Sequence, residues 1–125
     1  MRRPSPRPAS ISDAAIVTKA LTRAAERLHV TNKVLARIIG LSEASVSRLK
    51  KGDYPLESGK PFELGVLFVR LYRSLDALTG GDDQVSATWL ASPNIALGRP
   101  PLELIQSVAG LTQVIAYLDA RRALV

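Results

Sequence analysis

Ser42, Glu43, Ser45, Ser47, Arg48 and Lys51 fall within ten consecutive positions and set short hydroxyls, one carboxylate and two cations around apolar Val46 and Leu49. On a helix, Val46 and Leu49 make an inward stripe, so Ser47, Arg48 and Lys51 project to the other side. Lysine and arginine there suit phosphates or guanine edges, and serine is a short, adaptable hydrogen-bonding group. This is the equipment of a helix that enters a major groove. The plainer alternative is that Arg48, Lys50 and Lys51 solvate the C-terminal end of an ordinary helix, where the dipole also favours cations. Catalytic chemistry finds no comparable set. There is no cysteine, and His29 is the one histidine, so neither a thiolate nucleophile nor an imidazole pair for a metal can be assembled. Glu57, Glu63 and Glu103 stand singly and read as surface or capping groups. No enzymatic activity, cofactor or metal is expected.

The elements that must hold this helix are encoded just upstream. Counting from Asn32, Ala36 falls fifth, Gly40 ninth, Val46 fifteenth and Leu49 eighteenth, a spacing that packs two short helices across a tight turn. Ala36 lets the helices approach, Gly40 can take a positive φ, and Val46 with Leu49 wedge the second helix against the first. Thr31 caps the first of the pair, whose apolar face is Val34, Leu35, Ile38 and Ile39. Ser42 caps the second, roughly residues 43 to 51, and Glu43 places negative charge in its first turn. Over Thr31 to Gly52 the sequence resembles the Xre/Cro-like helix-turn-helix family, and that resemblance implies DNA binding. Ser42, Glu43, Ser45, Ser47, Arg48 and Lys51 are the candidate contacts.

A chain of 125 residues can bury one core, or two small lobes that share a connection. Apolar residues make up 46% and charged residues 22%, ordinary proportions for a globular protein. No stretch approaches the roughly 20 apolar residues of a membrane span, and Met1 to Ser10 runs into prolines where a signal peptide would be apolar, so a cytoplasmic protein without membrane attachment is expected. The net charge is unevenly spread. Residues 1 to 51 hold eleven Lys and Arg against three acids, giving +8, while residues 52 to 125 hold six against eight, giving −2. A segregated basic half fits a phosphate-backbone binder, and a neutral to acidic half fits a different partner.

Taken in order, residues 1 to 11, with Arg2, Arg3 and Arg7 among prolines, read as a flexible basic tail. Ser12 or Asp13 caps a first helix whose buried side is marked by Ile16, Ala20, Ala24 and Leu28, ending near His29. After the helix-turn-helix, residues 52 to 60 gather turn formers, with Tyr54 and Leu56 tucked back onto the core. Pro61 suits a first helical turn, and Leu64, Phe68, Leu71, Leu75 and Leu78 follow as the stripe of the longest helix, ending at Gly80-Gly81. That stripe either packs within the fold or serves as a dimer seam. Asp82 or Asp83 caps a helix carrying Val85, Trp89 and Leu90 that stops before Pro93. Ile95 and Leu97 are apolar anchors of the loop that follows. Pro101 opens a short helix, Gly110 breaks it, and Leu111 to Arg122 form a last helix with Val114, Ile115 and Leu118 inward. The expected fold is all-α: a tail (1–11), a helix-turn-helix bundle (12–60) and a small helical domain (61–125).

Trp89-Leu90, Ser92-Pro93-Asn94, Leu97, Pro100-Pro101-Leu102, Gly110, Val114 and Leu118 together resemble the toxin-binding domain of the MbcA/ParS/Xre antitoxin family, over about residues 64 to 125. An Xre-like helix-turn-helix upstream is that family's usual companion. The resemblance implies a bacterial type II antitoxin. Its C-terminal lobe would sequester a RES-domain toxin that consumes NAD or transfers ADP-ribose, and its N-terminal lobe would repress the shared promoter at operator DNA. A homodimer within a larger toxin–antitoxin complex is implied as well. In the family the antitoxin's end obstructs the toxin's NAD pocket, which here places Asp119 to Val125 at the blocked site, with Arg121 and Arg122 as polar contacts and Leu124 and Val125 as an apolar plug. The loop with Asn94, Leu97 and Arg99, and the last helix with Tyr117, complete the candidate toxin contacts, because they combine exposed apolar residues with few charges. Trp89, a large amphipathic ring, either fills the core or anchors a partner, and its place on an apolar helix face favours core. The competing function is a stand-alone dimeric Xre-like regulator whose C-terminal lobe dimerises or senses a small ligand.

Overall fold

The computed structural model describes residues 8–56 and 58–124. Among the described residues seven helices follow one another: α1 (Pro8–Arg27), α2 (Asn32–Ile39), α3 (Glu43–Lys51), α4 (Gly59–Leu78), α5 (Asp83–Ala91), α6 (Pro101–Leu104) and α7 (Val108–Arg122). The fold is all-α, a helix-turn-helix bundle followed by a C-terminal helical domain.

α1 begins at Pro8, ahead of the cap expected at Ser12 or Asp13. A proline is well placed there, since the first backbone N–H groups of a helix have no intrahelical acceptor. The basic tail reading is thereby shortened at its C-terminal end, and residues 1–7 lie outside the described residues. The buried side of α1 is Ala14, Thr18, Leu21, Ala25 and Leu28, with Ala24 beside them, whereas Ile16 is 62% exposed. Of the expected stripe of Ile16, Ala20, Ala24 and Leu28, the last two are buried and Ala20 half-buried, and Ile16 is corrected by helix geometry. Steps of four residues each overshoot a full turn by about 40°, so such a row winds off the core, while alternating steps of four and three stay on it.

α1 ends in two overlapping bonds, the His29 N–H to the Glu26 carbonyl (3.1 Å) and the Val30 N–H to the Ala25 carbonyl (2.8 Å). This closure puts His29 in the left-handed region at φ 57°, where a Cβ carries a steric cost. Thr31 then caps α2 by accepting from the Val34 N–H at 3.2 Å. Gly40 closes α2 at φ 73°, and Ser42 caps α3 by accepting from the Ser45 N–H. These are the turn and caps that the sequence spacing requires.

α4 organises the rest. Leu64, Phe68, Leu71 and Leu75 are buried and Leu78 is half-buried. The helix packs on α1 and α2 along one side and on α7 and α5 along the other. Its stripe is therefore consumed within the chain, and a dimer seam there is excluded for this fold. One hydrophobic cluster runs without interruption from Leu21 through Val46, Phe68 and Ile105 to Leu118, so the two lobes share a single core. The segment between α3 and α4 is pinned to it: the Thr18 hydroxyl accepts from the Leu56 N–H at 2.7 Å, and the Tyr54 hydroxyl donates to the Ser45 carbonyl at 3.3 Å.

Asp82 caps α5 by accepting from the Gln84 and Val85 N–H groups, and α5 stops at Ala91 ahead of Pro93. In the following loop Leu97 packs against the core, but Ile95 is fully exposed and anchors nothing. Gly110 also departs from expectation. It lies inside α7, which starts at Val108 and is capped by the Ser107 hydroxyl accepting from the Gly110 N–H at 3.1 Å. The break between α6 and α7 is made at Ile105, Gln106 and Ser107 instead. Gly110 is required for closeness, because a Cβ there would lie 1.9 Å from the Leu104 carbonyl oxygen.

Two substitutions test this account by urea denaturation. Gly110→Ala should destabilise the protein by about 3 kcal/mol, since backbone and not a pliable side chain blocks the added methyl. His29→Gly should stabilise it by about 1 kcal/mol by removing the left-handed penalty. A neutral Gly110→Ala would show that α6 and α7 do not approach as described.

Candidate functional site

On α3, Val46 and Leu49 are buried while Ser42, Glu43, Arg48 and Lys51 are exposed. Arg48 and Lys51 sit one helical turn apart and form the cationic part of the outer face. Ser45 and Ser47 are half-buried, so they stand at its edge. The Ser45 hydroxyl is already engaged, accepting from the Ser42 hydroxyl at 2.9 Å and from Arg48 Nη2 at 3.3 Å. It therefore holds Arg48 down toward the N-terminal turn of α3. Lys50 points elsewhere, into a groove it shares with Lys19, Thr22, Arg23 and Glu26 of α1. Sequence reasoning took α3 alone and missed this groove, although Lys19, Arg23 and Glu26 recur along one face of α1.

The C-terminal candidates do not form one patch. α7 presents two sides. On one, the Tyr117 ring stacks on Trp89 with centroids 6.3 Å apart and planes 16° from parallel. The Arg121 guanidinium lies 5.6 Å from the centre of the Tyr117 ring and donates to its hydroxyl at 3.4 Å. Trp89 is half-buried, partly a core group and partly the floor of this stack. On the other side, Asp119 faces α4, paired with Arg70 at 2.5 Å and accepting from the Ser74 hydroxyl at 3.1 Å. Arg122 donates to the same Ser74 hydroxyl at 3.2 Å, and Ser74 is buried. Val66, Val69 and Arg73 line the rest of this open groove.

The loop candidates have local duties. Asn94 Oδ1 accepts from the Leu97 N–H at 3.0 Å and its carbonyl from the Gly98 N–H at 2.8 Å. Asn94 thus shapes the turn that exposes Ile95. Arg99 pairs with Glu103 at 3.4 Å, one turn along. Leu124 is 86% exposed beyond the end of α7, and Val125 lies outside the described residues.

Polar contacts of Arg37 and Arg27 tie the halves together. Arg37 of α2 donates to Gln106 Oε1 at 3.4 Å. Arg27 of α1 donates to the Tyr72 hydroxyl at 3.3 Å, which donates to Asp83 Oδ1 at 3.0 Å. Burial, and then the bond to Asp83, raise the Tyr72 pKa despite the opposing effect of Arg27, so the phenol stays a neutral donor. Among the described residues no helix is long and apolar enough to cross a membrane, and no cluster of three or more His, Cys, Asp or Glu converges as a metal site would.

A helix-turn-helix with an open cationic second helix, running through a shared long helix into a second helical lobe, defines the class as helix-turn-helix proteins with an added C-terminal helical domain. A family model for the antitoxin Xre-like helix-turn-helix domain matches residues 8–70, and one for the antitoxin Xre/MbcA/ParS C-terminal toxin-binding domain matches residues 74–123. The chain belongs to the Xre-like antitoxin family. No curated relative matches it. The two matched domains support an antitoxin role in a toxin–antitoxin pair, regulatory in character, with a toxin and DNA as the two kinds of partner. They meet inside α4.

The Asp119 network separates architecture from interface. Asp119→Ala removes a partly exposed ion pair and the Ser74 bond, so it should cost about 1 kcal/mol, with the ion-pair share reduced by high salt. Arg121→Ala should leave stability within about 0.5 kcal/mol, because its stack is solvent-facing. Thermal melts at low and high salt measure both. A large destabilisation by Arg121→Ala would place that residue in the architecture instead.

Proposed function

We propose that this chain is the antitoxin of a RES-domain toxin, an enzyme that consumes NAD or transfers ADP-ribose, and that it represses its own operon. In this reading residues 12–60 read the operator and residues 61–125 hold the toxin. Ser42, Glu43, Ser45, Ser47, Arg48 and Lys51 meet the DNA, with Arg48 at a base edge and Lys51 at a phosphate. Ser45 acts by holding Arg48, as its hydrogen bond does in the free chain. The complex contains the antitoxin as a homodimer and works in the bacterial cytoplasm.

The toxin surface is built from the end of α7 and what flanks it. Tyr117 and Arg121 offer a flat aromatic and a guanidinium side by side, a pairing that suits interface hot spots. Leu124 and Val125 supply the apolar tip that enters the toxin's active site, and Arg122 and Asp119 line the approach. Asn94, Leu97 and Arg99 border the same domain, with exposed Ile95 at the tip of their turn. The observation that carries this reading is the joining, through one continuous α4, of an open cationic second helix to a matched toxin-binding domain, beyond whose last helix Leu124 is exposed.

Two measurements test it. Arg48→Ala should weaken operator binding by about 1–3 kcal/mol and relax base preference, whereas Lys51→Ala should weaken all sequences alike and flatten the salt dependence. Unchanged affinity in both would remove α3 as the reading helix. Deleting Ala120 to Val125 should leave the fold nearly intact, since Leu118 and the inward face of α7 remain. The truncated chain should co-purify with the protein of the adjacent gene yet leave its NAD turnover running. Full neutralisation by the truncated chain would remove the plug, and a full-length homodimer that captures no second protein would reduce the function to gene control.

A further inference from the structure

We infer that the groove between α1 and α3 is a second phosphate site, one that carries the DNA backbone beside the recognition helix. The inference rests on the DNA-binding reading above and adds a surface that the helix-turn-helix motif does not contain. Lys19 and Arg23 of α1 and Lys50 of α3 line an open cavity of about 350 Å³, together with Thr22 and Glu26. All three cations are exposed.

Bringing three cations to one groove costs self-repulsion unless acids answer them. Four cations elsewhere have such an answer, Arg27 with Asp83, Lys60 with Glu63, Arg70 with Asp119 and Arg99 with Glu103. Lys19, Arg23 and Lys50 take part in none of the ion pairs among the described residues. Glu26 is the one carboxylate present, so the groove carries a formal surplus of two positive charges. A polyanion relieves that surplus.

The place of the groove fits the backbone of a duplex whose major groove holds α3. Successive residues of a helix are turned by about 100°, so Lys50 is a flank of α3 when Lys51 and Arg48 face outward. A helix lying in a major groove has a phosphate strand along its flank, and a neighbouring helix that presents cations there lengthens the footprint. Phosphates bound by Lys19, Arg23 and Lys50 add affinity and salt dependence without sequence preference.

The test uses the full-length chain and two duplexes of equal length, the intergenic segment upstream of its own gene and a scrambled version of it. Binding is measured over a series of salt concentrations. Lys19→Ala/Lys50→Ala should lower the slope of log affinity against log salt by about 2, close to 0.9 for each phosphate that is no longer neutralised. The affinity ratio between the two duplexes should stay the same. Glu26→Gln should tighten both complexes several-fold. Lys60→Ala/Arg73→Ala, which removes the same charge away from the groove, should change the slope by less than half as much. Equal slope changes in the two double variants, or a changed duplex ratio in Lys19→Ala/Lys50→Ala with an unchanged slope, overturn the phosphate site while leaving α3 as the reader. A wild-type chain that binds neither duplex overturns the DNA reading and this inference with it.

Discussion

The double-sided burial of α4 is the constraint on which the structure depends. A helix that is apolar along one stripe can lean on a single neighbour, but α4 is gripped on two sides, by α1 and α2 and by α7 and α5. Phe68, Leu71 and Leu75 at its centre are almost wholly buried, and burial of each such side chain stabilises by about 1.5–3 kcal/mol. The two functional halves therefore cannot swing freely about a linker. The Arg37–Gln106 and Arg27–Tyr72–Asp83 contacts add polar ties across the same boundary. A protein that binds the last turn of α7 presses on a body that continues into the recognition helix.

Ion pairs are more frequent in the C-terminal half of the described chain than in the N-terminal half. In the C-terminal half Lys60, Arg70 and Arg99 each lie beside a carboxylate, and Asp119 organises Arg70 and Ser74 into a network. Partly exposed pairs of this sort contribute little stability each, but they fix side-chain direction. In the N-terminal half Lys19, Arg23, Arg48, Lys50 and Lys51 form no ion pair among the described residues. Unpaired cations grouped on adjoining faces are the arrangement a phosphate backbone complements. The division is not complete, since Arg27 pairs with Asp83 and Arg73 of α4 is in no ion pair among the described residues.

α7 shows how one helix divides its duties. Leu111, Val114, Ile115 and Leu118 are buried. Of the polar flanks, Tyr117 meets Trp89 and carries Arg121 over its ring, and Asp119 and Arg122 meet α4. Neighbours in sequence such as Arg121 and Arg122 consequently stand in different surroundings. Only the first is stacked at the surface; the second is tied to the buried hydroxyl of Ser74.

Local rules were legible in the sequence because their causes span only a few residues. The Thr31, Ser42 and Asp82 caps, the positive φ of Gly40, the α4 stripe and the stop before Pro93 all follow from groups within one or two helical turns. The helix-turn-helix spacing and the Trp89 to Leu118 pattern pointed to the same antitoxin family that the matched domains establish. What failed was whatever depends on a distant neighbour. Spacing alone turns Ile16 inward, but the side of α1 that meets α4 is the one carrying Leu21 and Ala25. Gly110 has the character of a helix breaker, yet it lies within α7 because Leu104 comes too close for a Cβ. Ile95 has no cavity to fill, and Lys50 gains its cationic company from a helix some thirty residues earlier. Periodicity and capping chemistry are properties of a segment, whereas which face is covered, and which charge stands beside which, are settled only when the helices meet.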